Sequence, residues 1–96
     1  MSGAPNGTAT TITISIRYLS AIRENTGKRQ DALAVPAGST LSWVAAWLQE
    51  TYGLAVPGPA LMSTINGYGW NQVSGGLSAE LHDGDEIALF PLLSGG

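Results

Sequence analysis

From Thr11 to Tyr18 apolar and polar residues alternate, with Ile12, Ile14, Ile16 and Tyr18 on one side and Thr11, Thr13, Ser15 and Arg17 on the other. A period of two marks a strand with one buried and one wet face. Asn25-Thr26-Gly27 supplies a turn, and weaker alternation over Arg29–Val35, carrying Ala32, Leu33 and Val35, predicts a second strand that returns as a hairpin and ends at Pro36. The period then changes. Leu41, Val44, Ala45, Leu48 and Tyr52 fall at helical spacing behind Ser39 and Thr40, either of which can serve as N-cap, and Gly53 stops the helix. Trp43 and Trp47 sit one turn apart beside this stripe, where they widen the buried face or leave an aromatic edge exposed; core packing is the plainer reading.

Pro57-Gly58-Pro59 interrupts regular structure, and Leu61–Ile65 predicts a third strand closed by Asn66-Gly67, a hairpin dipeptide whose turn requires positive φ. A short fourth strand is expected near Tyr68–Val73, then a loop at Ser74-Gly75-Gly76 and one helical turn within Leu77–Leu81. Asp83-Gly84-Asp85 turns the chain into a last strand, Glu86–Pro91, whose ladder Pro91 is expected to end. Two strands, a helix and further strands spell an α+β domain in which one main helix packs across one face of a mixed sheet. The expected partition is a flexible arm over 1–10, one domain over 11–91 and a flexible tail over 92–96.

Composition narrows the chemistry. Ninety-six residues make one core. With no cysteine and one histidine, disulfides, a thiolate nucleophile and thiolate metal sites are excluded, and no metal site is expected. Four Lys and Arg against seven Asp and Glu leave a net charge of −3, the wrong sign for a nucleic-acid partner. No apolar run approaches the ~20 residues that span a bilayer. Met1–Thr10 lacks the basic and then apolar layout of a secretory signal, so a cytoplasmic location is expected. His82, beside a turn, reads as a solvated histidine rather than a general base. Gly67-Tyr68-Gly69 and Gly75-Gly76 lack the strand-to-helix setting of a phosphate loop. The acidic group Glu80, Asp83, Asp85 and Glu86 either docks a partner or solubilises a turn and strand edge. With catalytic side chains this sparse, the chain reads as a non-enzyme with no permanently bound cofactor.

What remains is the sequence Pro91–Gly96. Glycine has no Cβ, so Gly95-Gly96 can lie flat in a narrow slot. Fully extended, the segment reaches at most ~20 Å, enough to carry an α-carboxylate into another protein's pocket. Two small residues ending a frayed tail are the plain alternative.

Asp83-Gly84-Asp85-Glu86-Ile87-Ala88-Leu89-Phe90-Pro91-Leu92-Leu93-Ser94-Gly95-Gly96 resembles the closing signature of the ThiS/MoaD sulfur carriers, in which a DGDEV-type turn and strand lead through FPPVxGG-like residues to a diglycine. Leu19–Gly27 and Arg29–Leu41 resemble the family's LREATG-like segment, second strand and helix start. The resemblance implies a ubiquitin-like β-grasp fold over 11–91 with the first and last strands parallel and central. It implies that the Gly96 carboxylate is adenylated by a ubiquitin-activating-type (ThiF/MoeB-like) enzyme using ATP and Mg²⁺, converted to a thiocarboxylate with sulfur from a donor protein, and used by an acceptor biosynthetic enzyme. Molybdopterin, cysteine, thiamin or a specialised thio-metabolite is the product class, with a MoaD-like or CysO-like chain as the nearest pattern. Ser94 and Gly95 then thread the tail, and Phe90, Pro91, Leu92 and Leu93 form the collar that grips the partner. Phe90 is equally readable as core, since only one of the pairs Ile87/Leu89 and Ala88/Phe90 can face the helix. Leu92-Leu93 in place of Pro-Val and the three tryptophans depart from the pattern and leave the acceptor open. Two other functions fit the residues: a protein modifier joined through Gly96 to lysines, with Lys28 the chain's only lysine, and a non-covalent module using the sheet face.

Overall fold

The computed structural model describes residues 10–92. Residues 1–9 of the expected arm and 93–96 of the expected tail lie outside the described residues. The elements are β1 (Thr11–Tyr18), α1 (Ile22–Thr26), β2 (Gln30–Pro36), α2 (Leu41–Tyr52), β3 (Leu61–Ile65), β4 (Tyr68–Gly69) and β5 (Glu86–Pro91), with a 3₁₀ turn at Gly76–Ser78. They form a five-stranded mixed sheet in the order β2-β1-β5-β3-β4, with β1 and β5 parallel at its centre and the other pairings antiparallel. One main helix covers one face, the β-grasp arrangement that the resemblance implies.

The alternation in β1 decides which face is covered. Ile14, Ile16 and Tyr18 are buried, and their register neighbours Ile87 and Leu89 on β5 are fully buried beside them. Leu41, Val44 and Leu48 of α2 close over this layer, with Leu81, Leu54 and Val56 sealing its margins. Trp43 and Trp47 are half-buried against the core, so they widen the covered face. Thr11, Thr13 and Arg17 point to the other, open face.

Several local expectations are corrected. The region Leu19–Gly27 holds α1 rather than a turn alone: Ile22 and Thr26 are buried one helical turn apart, and Gly27 caps the helix at φ 78°. Thr40 is the N-cap of α2 but caps with no side-chain bond. The Leu41 N–H instead donates to the Ala79 carbonyl at 3.1 Å and the Leu81 N–H to the Ser39 carbonyl at 2.8 Å, so a backbone bridge replaces the hydroxyl. The fourth strand stops at Gly69, because the Gln72 side chain accepts from the Gly69 N–H at 3.0 Å and turns the chain. Trp70 then folds inward and donates its indole N–H to the Thr64 carbonyl at 3.2 Å. The helical turn near Leu77 is a three-residue 3₁₀ turn. Asn66-Gly67 forms the expected hairpin with both residues at positive φ, 51° and 89°.

One polar cluster is built into the core margin. Asp31 of β2 accepts hydrogen bonds from the Tyr18 hydroxyl at 2.7 Å, the Tyr52 hydroxyl at 2.6 Å and the Lys28 ammonium at 3.2 Å, tying β1, β2 and α2 together. Burial pushes the Asp31 carboxyl up, but the hydrogen bonds from Tyr52, Tyr18 and Lys28 outweigh it and hold the carboxyl below its ordinary value. Burial and then the Asp31 hydrogen bond push the Tyr18 hydroxyl well above the usual phenol range. A depressed carboxyl contributes stability that is present above its unfolded pKa of ~3.9 and lost as pH falls below it. A raised phenol contributes stability that is present below ~10 and lost as pH rises beyond it. The melting temperature is therefore expected to decline on both sides of this window. In Asp31→Asn the acid limb should flatten, and an unchanged acid limb in that variant would refute the assignment.

Candidate functional site

The site is assembled where β5 ends. Because β5 lies between β1 and β3, its backbone amides alternate between the two neighbours. The Leu19 N–H donates to the Leu89 carbonyl at 3.0 Å on the β1 side, while Asn66 N–H to Glu86 carbonyl at 2.7 Å and Leu92 N–H to Ala60 carbonyl at 3.1 Å lie on the β3 side. Pro91 occupies a position whose missing N–H faces away from β3. The ladder therefore continues one bond past Pro91, where it was expected to stop, to Leu92, the last described residue.

The same alternation settles where Phe90 lies. Ile87 and Leu89 take the helix face, which leaves Ala88 and Phe90 on the open face. Phe90 stands opposite Met62 of β3, Ala88 opposite Thr64 on one side and Arg17 on the other. Met62 is 39 % exposed and Leu92 is 51 % exposed; Phe90 and Pro91 are half-buried. Among the described residues, the open sheet face at the end of β5 carries Phe90 and Met62 side by side, both partly exposed and flanked by Leu92. Of the expected collar, Phe90, Pro91 and Leu92 come together here. Leu93, Ser94, Gly95 and Gly96 lie outside the described residues.

Met62 is the member that the sequence reading missed. In the chain it reads as one apolar residue in an apolar run, Leu61-Met62-Ser63-Thr64-Ile65, and only the pairing with β5 separates it from the inward Ile65. Its signal was the single unpartnered side chain in a strand whose neighbours alternate.

The acidic group resolves as turn chemistry. An Asp83 carboxylate oxygen accepts from the Thr13 N–H at 2.8 Å. Asp85 accepts from the His82 N–H at 2.8 Å and from the Asn66 amide at 3.0 Å. These carboxylates fasten the β5 entry turn to β1 and to the β3–β4 hairpin, and His82 is exposed, as a turn histidine should be. Among the described residues no group of His, Asp and Glu is placed to hold a metal ion. No helix among them is long and apolar enough to cross a membrane.

A comparison with curated protein sequences gives no match. Among solved structures, the chain is similar to small archaeal modifier protein 1 (SAMP1) from Methanosarcina acetivorans, with TM-score 0.71 and 22% identity over 91% of this chain and 99% of that one. It is similar to a chain in the complex of subunits 1 and 2 of molybdopterin-converting factor from Helicobacter pylori, with TM-score 0.61 and 22% identity over 88% and 100%. It is likewise similar to a chain of the BexX/CysO complex from Amycolatopsis orientalis, with TM-score 0.61 and 22% identity over 86% and 99%. At these identities the likeness speaks for the fold, a ubiquitin-like β-grasp. The pattern of residues speaks for more: the description of the ThiS family matches residues 16–96, spanning every strand pairing and the exit of β5, and the chain belongs to the ThiS family.

Proposed function

We propose that this protein is a cytoplasmic sulfur carrier, not an enzyme, whose working group is the α-carboxylate of Gly96. An adenylating enzyme of the ThiF/MoeB type takes up the last residues. A Gly96 carboxylate oxygen attacks the α-phosphorus of ATP bound with Mg²⁺ in that enzyme, pyrophosphate leaves, and a mixed anhydride forms. Sulfide supplied by a donor protein attacks the acyl carbon and AMP leaves, giving a thiocarboxylate. Held in an acceptor enzyme, that sulfur reacts as though intramolecular, so the carrier supplies position and its side chains perform no catalysis. The acceptor belongs to molybdopterin, cysteine, thiamin or specialised thio-metabolite synthesis.

The observation that carries this reading is the exit geometry. β5 is a central strand, held by backbone bonds as far as Leu89 on the β1 side and as far as Leu92 on the β3 side, and its end stands beside the paired Phe90 and Met62. A partner gripping that face stands next to Leu92, from which four residues lead to Gly96. Family membership and two neighbours seen in protein complexes support the same reading.

ATP–pyrophosphate exchange by the adenylating enzyme of the same genome tests it: this chain should stimulate exchange, and no stimulation counts against the proposal. Phe90→Glu should raise the KM for the carrier about tenfold or more, since a charge replaces an interface aromatic. It should lower the melting temperature much less than a core truncation does, because Phe90 does not face α2. An unchanged KM removes Phe90 from the docking face.

The likeness to SAMP1 favours a second reading, a protein modifier joined through Gly96 to target lysines. Its mark is gel-shifted conjugates that vanish when Gly96 is deleted. The chain's one lysine, Lys28, is paired with Asp31 at 3.2 Å, which leaves a single site for self-linked chains.

A further inference from the structure

The chain has three arginines, Arg17, Arg23 and Arg29, and all three line one polar hollow of about 430 Å³ with Tyr18, Leu19 and Gln30. They come from three elements: the end of β1, the start of α1 and the residue before β2. All three are exposed, and among the described residues the one ion pair is Lys28 with Asp31, so no described carboxylate lies within ion-pair distance of them. In a chain of net charge −3, this is a segregation of charge. Asp83, Asp85 and Glu86 lie near the start of β1 and β5, with Asp83 fastened to Thr13; the arginines lie where β1 ends.

Both strands run the same way, so the basic end is also the end at which β5 reaches Leu92, the residue before the last four. Tyr18 stands opposite Leu89, and the Leu19 N–H binds the Leu89 carbonyl at 3.0 Å, three residues before the exit at Leu92. A protein that receives the residues after Leu92 therefore faces the hollow.

We propose that the Arg17–Arg23–Arg29 hollow is a docking socket for a cluster of Asp and Glu side chains on the rim of the protein pocket that receives this chain's last residues. The inference rests on the carrier reading above and adds the chemistry of the partner's rim. Guanidinium forks pair with carboxylates two bonds at a time, which fixes rotation about an otherwise slender tail. Carboxylates are favoured over a nucleic acid or polyphosphate because an extended polyanion needs a long basic stripe, and here seven acidic residues oppose four basic ones. Rim charges act mainly on encounter and on salt dependence, so the socket should appear in KM and not in kcat.

The test compares wild type with the triple variant Arg17→Gln/Arg23→Gln/Arg29→Gln in the ATP–pyrophosphate exchange assay, with Lys28→Gln as control and thermal melts to confirm folding. The triple variant should raise the carrier's KM about tenfold at low salt with kcat unchanged. Rising NaCl should raise the wild-type KM and leave the variant's flat. Equal KM values and equal salt slopes overturn the socket while the carrier reading stands. If wild type itself supports no exchange, the carrier reading fails, and the socket is judged by NMR titration of the labelled protein with an alternating Asp-Glu hexapeptide. Shifts at Leu19, Arg23 and Gln30 amides that disappear in the triple variant support it. No shifts, or tighter binding of inorganic phosphate or a single-stranded oligonucleotide at the same amides, overturn it.

Discussion

Adding a single residue after Gly96 is expected to reduce adenylation by about a hundredfold or more while leaving the melting temperature unchanged. The reacting atom is the terminal carboxylate itself, so an extension removes it from position and replaces it with an amide. Displacements of ~1 Å at a reacting centre already cost about 10² in rate. Folding should be indifferent, because among the described residues every buried core side chain lies between Ile14 and Leu89 and the last backbone bond belongs to Leu92. A melt lowered by several degrees would show that the extended end disturbs the globule. Full activity of the extended chain would show that the carboxylate of Gly96 is not the working group.

The largest effect on stability is expected from Leu48→Ala. Leu48 of α2 is fully buried in the core shared with β1 and β5, and the three carbons lost, one methine and two methyls, leave a cavity in a close-packed layer that rigid strands on one side cannot fill. Substitutions of this kind cost about 2–5 kcal/mol. In a domain of this size that corresponds to a drop of about 10 °C or more in melting temperature. The exchange assay below the new melting point should keep its kcat, since α2 lies on the face away from Phe90. A melting curve superimposable on wild type would refute the helix register.

These two predictions divide along the same line that separates what the sequence discloses from what it hides. The covered face was legible because periodicity is a property of burial: Ile14-x-Ile16-x-Tyr18 and Leu41, Val44, Leu48 announce their partners by spacing alone. Asn66-Gly67 was legible because few residues accept positive φ. The fourth strand was not, since its end is set by one side chain, Gln72, reaching back to the Gly69 amide. Thr40 is the N-cap, as its place before the helical stripe allows, but its lack of a side-chain bond was hidden for a similar reason, a bridge to residues 79–81 that are distant in the chain.

The site divides in the same manner. Phe90 and Pro91 were readable from the closing motif, but which way Phe90 points depends on β5 lying between two neighbours, and Met62 beside it depends on register. Arg17, Arg23 and Arg29 lie apart along the chain, and a hairpin and a five-residue helix are needed to gather them. For the acidic residues the sequence leaves docking and turn chemistry open, and the structure spends the Asp83 and Asp85 carboxylates on the Thr13 and His82 N–H groups.

The most direct measurement is the intact mass of the protein after incubation with its adenylating enzyme, ATP, Mg²⁺ and a sulfide source. One oxygen should be exchanged for sulfur, with fragmentation placing the change on Gly96. A mass that stays at the carboxylate value, with an enzyme shown to be active on another carrier, would contradict the carrier function.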